Sequence, residues 1–163
     1  MRTVVRVLLA VTATLAAALA FTAAALADSP HFIKADASVD AAGNLVCTFK
    51  EAGLGTTVAT EAVTCSADAS AVYACINGGQ NHPKAANKAT VSGPVSGGGV
   101  FPVRNGSTTG SITVGPPGPG GFSCPNGQDR VFASVCYTNI VLAGAAGDTA
   151  AVPGTICRTL IPL

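Results

Sequence analysis

The run from Thr64 to Gly79, TCSADASAVYACINGG, constrains this chain more than any other stretch. Its odd positions, Cys65, Ala67, Ala69, Ala71, Tyr73 and Cys75, are small, apolar or sulfur-bearing. Its even positions Thr64, Ser66, Asp68 and Ser70 are polar. A period of two over this length predicts a half-buried β-strand, because successive side chains of a strand point to opposite faces. Two half-cystines on its inward face tie that strand to two other places, so it reads as the centre of the fold.

The cysteines act in an oxidising compartment only if the chain is exported, and its start has the plan of a signal peptide. Arg2 and Arg6 precede an apolar run, Val7 to Phe21, and Ala25-Leu26-Ala27 forms a small-x-small cleavage signal before Asp28. The expected division is a secretory signal peptide at 1–27 and one domain at 28–163. The mature part then keeps seven Lys and Arg against eight Asp and Glu. With no basic cluster, nucleic acid and anionic membrane surfaces are not expected partners. No apolar run after residue 27 is long enough to span a bilayer.

All six cysteines, Cys47, Cys65, Cys75, Cys124, Cys136 and Cys157, lie in this part. An even count in an exported chain reads as three disulfides. No Cys-x-x-Cys is present, and His31 and His82 are not spaced with cysteines as zinc ligands would be, so no metal is expected. Trp is absent and large aromatics are few, so the core is thin for its length and the bridges matter.

The rest of the chain divides into short strands between turn signals. His31–Val39 is a first strand and Asp40–Asn44 a turn. Leu45–Lys50 alternates, and Glu51–Gly55 bends the chain away. The long strand covers Val58–Ile76. Residues 77–83 are a loop, and Lys88–Val95 a strand whose Pro94 suggests a sheet edge. Ser96–Gly99 reads as a flexible break before a short strand at Val100–Val103. Asn105-Gly106 is a hairpin turn, which also accounts for the Asn105-Gly-Ser glycosylation sequon. Ser107–Val114 follows, then the irregular loop GPPGPGG at 115–121. Val131–Leu142 is the most apolar strand, and Thr149–Ile161 closes the chain, interrupted at Pro153-Gly154. About seven strands and no helix predict an all-β, antiparallel Greek-key sandwich, immunoglobulin-like in the broad sense and stapled by three disulfides.

Hairpin geometry selects a pairing. With Leu45–Glu51 and Thr60–Cys65 as a hairpin, Cys47 falls nearly opposite Cys65. With Val131–Leu142 and Ala150–Ile161 as a hairpin, Cys136 falls nearly opposite Cys157. Directly opposed residues approach closely enough for a disulfide. Cys75 and Cys124 remain, a long-range staple. The Cys136–Cys157 bridge is expected on the outer face, with Val131, Ala133, Val135, Tyr137 and Val141 turned inward.

No catalytic site is expected. A nucleophilic thiolate needs an unpaired Cys beside a His, and a serine hydrolase elbow G-x-S-x-G is missing. The acids are scattered singly; Glu51 and Glu61 flank the first hairpin and read as rim charges. The loop set at 77–88, 115–122 and 125–130 gathers at one end if Cys75 joins Cys124. His82, Lys84, Lys88, Phe122, Gln128 and Arg130 are its candidate binding residues. The alternative is that the staple only holds two long loops in place.

The segments FKEAGLG (49–55), YACINGG (73–79), GPPGPGGFSCPNGQ (115–128) and ASVCYTN (133–139) resemble a group of small exported actinobacterial proteins of unassigned function. That resemblance implies export and an all-β fold and supplies no catalytic residues. EAGLG and NGSTTGSITV are similar to segments of the neocarzinostatin-type apoproteins, disulfide-stapled sandwiches that carry a small chromophore. Those have two short disulfide loops, where this chain has longer ones and a third pair. The expected function is a secreted, non-enzymatic binding or surface/matrix protein with no cofactor, acting on an extracellular partner or a small molecule. The alternatives are a small-molecule carrier with a cleft between Ala- and Gly-rich sheets, or a protease inhibitor presenting Cys124-Pro125-Asn126.

Overall fold

The computed structural model describes residues 29–77 and 87–163. The expected signal peptide, His82 and Lys84 lie outside them. The described residues are all β, with no helix among them. Eight strands form in chain order: β1 (His31–Val39), β2 (Leu45–Ala52), β3 (Thr60–Asn77), β4 (Lys88–Pro102), β5 (Ser107–Val114), β6 (Gln128–Gly144), β7 (Thr149–Val152) and β8 (Ile156–Thr159). Pro153-Gly154 splits the expected last strand into β7 and β8, which both pair with β6. One antiparallel sheet has the order β1-β2-β5, the other β4-β3-β6-β7, with β8 also on β6.

The opening run behaves as its periodicity demands. Cys65, Ala67, Ala69, Ala71, Tyr73 and Cys75 are all buried on the inner face of β3. All but Cys75 meet Leu45, Cys47 and Phe49 of β2 and Ile112 and Val114 of β5 in one core. The turn after β1 is held by Asp40, whose Oδ1 accepts the amides of Ala42 (2.9 Å) and Asn44 (2.8 Å). The side-chain bond from Asn44, ahead of these amides, holds the Asp40 carboxyl below its ordinary value.

Three bridges close, Cys47–Cys65, Cys75–Cys124 and Cys136–Cys157. Bonds of this kind form and persist in an oxidising environment. The third is the expected cross-strand bond, with Cys136 directly opposite Cys157. The first does not join a hairpin. β2 pairs with β1 and β5, whereas β3 pairs with β4 and β6, so Cys47–Cys65 crosses between the sheets. The chain leaves β2 through Gly53 and Gly55, both with φ near 77°, and changes sheet instead of turning back.

Two other expectations fail for identifiable reasons. Val141 does not turn inward: Ile140 and Leu142 do, at 1% and 0% exposure. The ladder shifts between Ser66 and Asp68, where β6 carries an extra residue, and Asn139 there has φ 51°. A bulge of one residue reverses the parity of everything beyond it. Ser96–Gly99 is not a break, because β4 runs unbroken from Lys88 to Pro102 along the 18-residue β3. Its glycines serve close packing. A Cβ on Gly97 would come within 3.2 Å of the Thr113 carbonyl across the sandwich, and one on Gly110 of β5 would collide with the Phe101 ring. That ring instead packs edge-on against Phe49, 4.9 Å between centroids.

The sheets differ in length. β3, β4 and β6 have 18, 15 and 17 residues, whereas β1, β2 and β5 have nine, eight and eight. The shorter sheet therefore leaves the Tyr73–Asn77 end of β3 without a facing strand. The Pro-rich segment that follows β5 lies there. Tyr73 donates its hydroxyl to the Pro117 carbonyl (2.7 Å), Phe122 packs against the core, and Cys124 is bonded to Cys75. Prolines suit a cover of this kind, since fixed φ angles and missing N–H groups reduce both the entropy lost and the donors left unpaired.

Candidate functional site

The Cys75 end brings together the described members of the loop cluster, and they serve mainly to hold one another. Gln128, opposite Asn77 in the ladder, accepts a 3.0 Å bond from the Asn87 side chain. Arg130, opposite Cys75, donates to the Phe122 carbonyl at 2.8 Å. The Phe122 amide donates to the Pro119 carbonyl and the Gln128 amide to Pro125. Phe122 is half-buried, and Lys88, half-buried, begins β4 opposite Ala74. Burial raises the Tyr73 hydroxyl above its ordinary value, with Arg130 acting in the opposite sense, so it stays a donor to Pro117. Tyr73→Phe is expected to lower stability by about 1 kcal/mol through the lost bond to Pro117. Faster amide exchange at Phe122, measured by NMR, would register the loosened cover.

The outer face of the long sheet offers a different arrangement. The even residues of β3 point outward beside the matching residues of β4 and β6: Ser66 lies opposite Ser96, Ser70 opposite Ser92, and Asp68 between Pro94 and Thr138. Two adjacent troughs of about 410 and 420 Å³ meet at Asp68. Ser70, Ser92 and Thr138 line the first, and Ser66, Ser96 and Asn139 the second. The bulge that reverses β6 also turns Asn139 toward Asp68, and its amide donates to Asp68 Oδ2 at 2.8 Å. The other carboxylate oxygen has no protein donor among the described residues. Ser92 donates to the Ser70 hydroxyl at 3.0 Å, which fixes two hydroxyls side by side. Among the described residues, no Lys or Arg lines either trough.

The sequence shows the polar face of β3 in its alternation but not this convergence. The Asp68–Asn139 contact depends on the bulge, and a bulge leaves no periodic signal when Asn139 falls within an apolar run.

At the opposite end of the sandwich, Glu51 and Glu61 are not rim charges. Glu51 is 0% and Glu61 6% exposed. Both occupy inward positions, continuing the alternation of Leu45, Cys47 and Phe49 on β2 and preceding Val63 and Cys65 on β3. Glu61 accepts the Ala146 amide at 2.8 Å. The short sheet ends here, and the turn between β6 and β7 folds over the acids and keeps them from water. Burial, then the charge of Asp148, then that of Glu61, pushes the Glu51 carboxyl up to about 7.

Comparison with protein-family models, curated proteins and solved structures finds no match.

Proposed function

We propose that this chain is a secreted, non-enzymatic binding protein that takes a hydroxyl-rich ligand, such as a neutral glycan, on the outer face of its long sheet. The observation that carries this is the Asp68–Asn139 pair at the junction of the two troughs. A carboxylate accepts and an amide donates, and adjacent hydroxyls of a sugar can do both at once. The surrounding serines and Thr138 add further donors and acceptors on short side chains, which leave the troughs open. Asp68, with no neighbouring cation among the described residues, disfavours phosphate, sulfate or carboxylate ligands.

The strand orders also support the Greek-key, immunoglobulin-like reading. β1-β2-β5 and β4-β3-β6-β7 correspond to the A-B-E and C′-C-F-G orders of that fold.

Asp68→Ala is expected to weaken binding of neutral oligosaccharides about 10–100-fold, the loss of a hydrogen bond to a charged group. Calorimetric titration of wild type and variant against a glycan panel tests this. Unchanged affinity for a bound glycan would dismiss the site.

A second reading keeps the ligand at the loop end. The Cys75–Cys124 bridge and the Asn87–Gln128 bond, which bring its segments together, favour it. Here Lys88, Phe122, Gln128 and Arg130 are the described members of the surface, and His82 and Lys84 lie outside the described residues. Combined replacement of Lys84, Phe122 and Arg130 by alanine would then weaken binding where Asp68→Ala would not.

A further inference from the structure

Glu51 and Asp148 present an acid problem that the binding function does not use. Both oxygens of each carboxyl are buried, and none has a hydrogen-bond partner among the described residues. They lie against the same backbone: a Cβ on Gly144 would be 2.5 Å from Asp148 Oδ1 and 3.0 Å from Glu51 Oε1. Gly144 thus leaves the space in which the two carboxyls meet. Among the described residues the facing groups supply no cation. Glu61 faces them from β3, and Thr108 of β5 and Phe32 of β1 stand opposite Glu51 in their ladders. His31 of β1 is exposed, with its Nδ1 2.7 Å from the Ser29 carbonyl. The one ion pair among the described residues is Lys34–Asp36 on the surface.

Two ionised carboxylates in this position would be acceptor facing acceptor, desolvated and mutually repelled. A single proton removes the difficulty, because a protonated carboxyl donates to its ionised neighbour. A shared divalent cation would serve as well, but among the described residues no group of three or more His, Cys, Asp or Glu side chains converges as its ligands.

We propose that Glu51 and Asp148 hold one proton between them, and that this proton latches the β6–β7 turn over the end of the sandwich. Asp148 belongs to that turn. Its backbone carbonyl accepts the Gly144 amide, Ala145 donates to the Ala62 carbonyl, and Ala146 donates to Glu61. When the proton leaves to solvent, the two charges repel, and the turn is the element free to move because both β-sheets are fixed by their ladders. The turn's opening lets water reach all three acids.

The sign follows from the folded state's tighter grip on the proton. The Glu51 carboxyl titrates near 4.5 ordinarily and near 7 here. The stabilisation is fully present below the lower value and is lost as pH rises through the upper one. Within that window the folding constant falls about tenfold per pH unit, the linkage for one proton.

Thermal melts and amide exchange of the wild-type protein, Glu51→Gln and Asp148→Asn between about pH 5 and 8 test this. The wild type is expected to lose stability through neutrality, and Ala145 and Ala146 to lose protection after correction for intrinsic exchange. Either amide variant supplies a fixed donor and should flatten the change. A wild-type stability that is level or rising over this range would overturn the proposal. So would an equal fall in both variants. A requirement for millimolar calcium at pH 8, abolished in Glu51→Gln, would also overturn it, since the pair would then be a cation site.

Discussion

Tyr137→Ala is expected to lower the stability of the fold by about 3–5 kcal/mol, the range for removing a large buried aromatic side chain. Tyr137 is the largest fully buried side chain, 0% exposed, on the inner face of β6. Its hydroxyl donates to the Gly43 carbonyl at 2.8 Å, so one residue joins the centre of the long sheet to the β1–β2 turn of the short one. Two losses therefore add: apolar area returned to an unfilled cavity, and a buried carbonyl left without its donor. Tyr137→Phe separates them and should cost about 1–3 kcal/mol, the penalty for the unpaired group. Burial also pushes the Tyr137 hydroxyl up to about 12. The folded state holds this proton more tightly than the unfolded chain, whose tyrosines titrate near 10. The associated stability is present below 10 and disappears as pH rises toward 12, and Tyr137→Phe should lack this part of the alkaline transition. Urea unfolding of the three proteins at neutral and alkaline pH measures both effects.

Replacing Cys75 and Cys124 together by alanine is expected to cost about 4 kcal/mol, from the chain-entropy estimate for a loop of this length. The bridge spans 49 residues, the longest of the three. It fastens the Pro-rich cover over the end of β3 that the short sheet does not reach. Without it, Tyr73–Pro117 and Arg130–Phe122 remain, two hydrogen bonds at a surface where each contributes about 1 kcal/mol. The loss should therefore be local as well as global. Amides at Phe122 and Gln128 should exchange faster than those of β2, whose own bridge to β3 is intact. Denaturant melts with residue-resolved exchange would separate this from uniform destabilisation.

The fold was legible where a residue's environment repeats along the strand. Alternation locates β3 and its inward face, and the Gly and Asn residues locate the turns after Asp40 and at Asn105. It could not say to which sheet β2 belongs. A strand that bends away through Gly53 and Gly55 has the same local pattern whether it returns as a hairpin or crosses the sandwich. Cys47 and Cys65 therefore pair across the sandwich and not within the hairpin that the local pattern predicts. Glycines at 97–99 were misread because flexibility and close approach use the same residue. Glu51 and Glu61 were misread because charge normally marks a surface, although both sit in phase with the buried residues of their strands. That phase was the available signal. Asp68 and Asn139 lie 71 positions apart and meet only because a bulge turns one toward the other.

The binding face is tested most directly by titrating isotopically labelled protein with neutral oligosaccharides of a few sugar units and mapping the backbone shifts. The expected result is a contiguous set of perturbed amides at Ser66–Ser70, Ser92–Ser96 and Thr138–Asn139, lost in Asp68→Ala. Shifts confined to Phe122–Arg130, or a wild-type pattern preserved in Asp68→Ala, would contradict it.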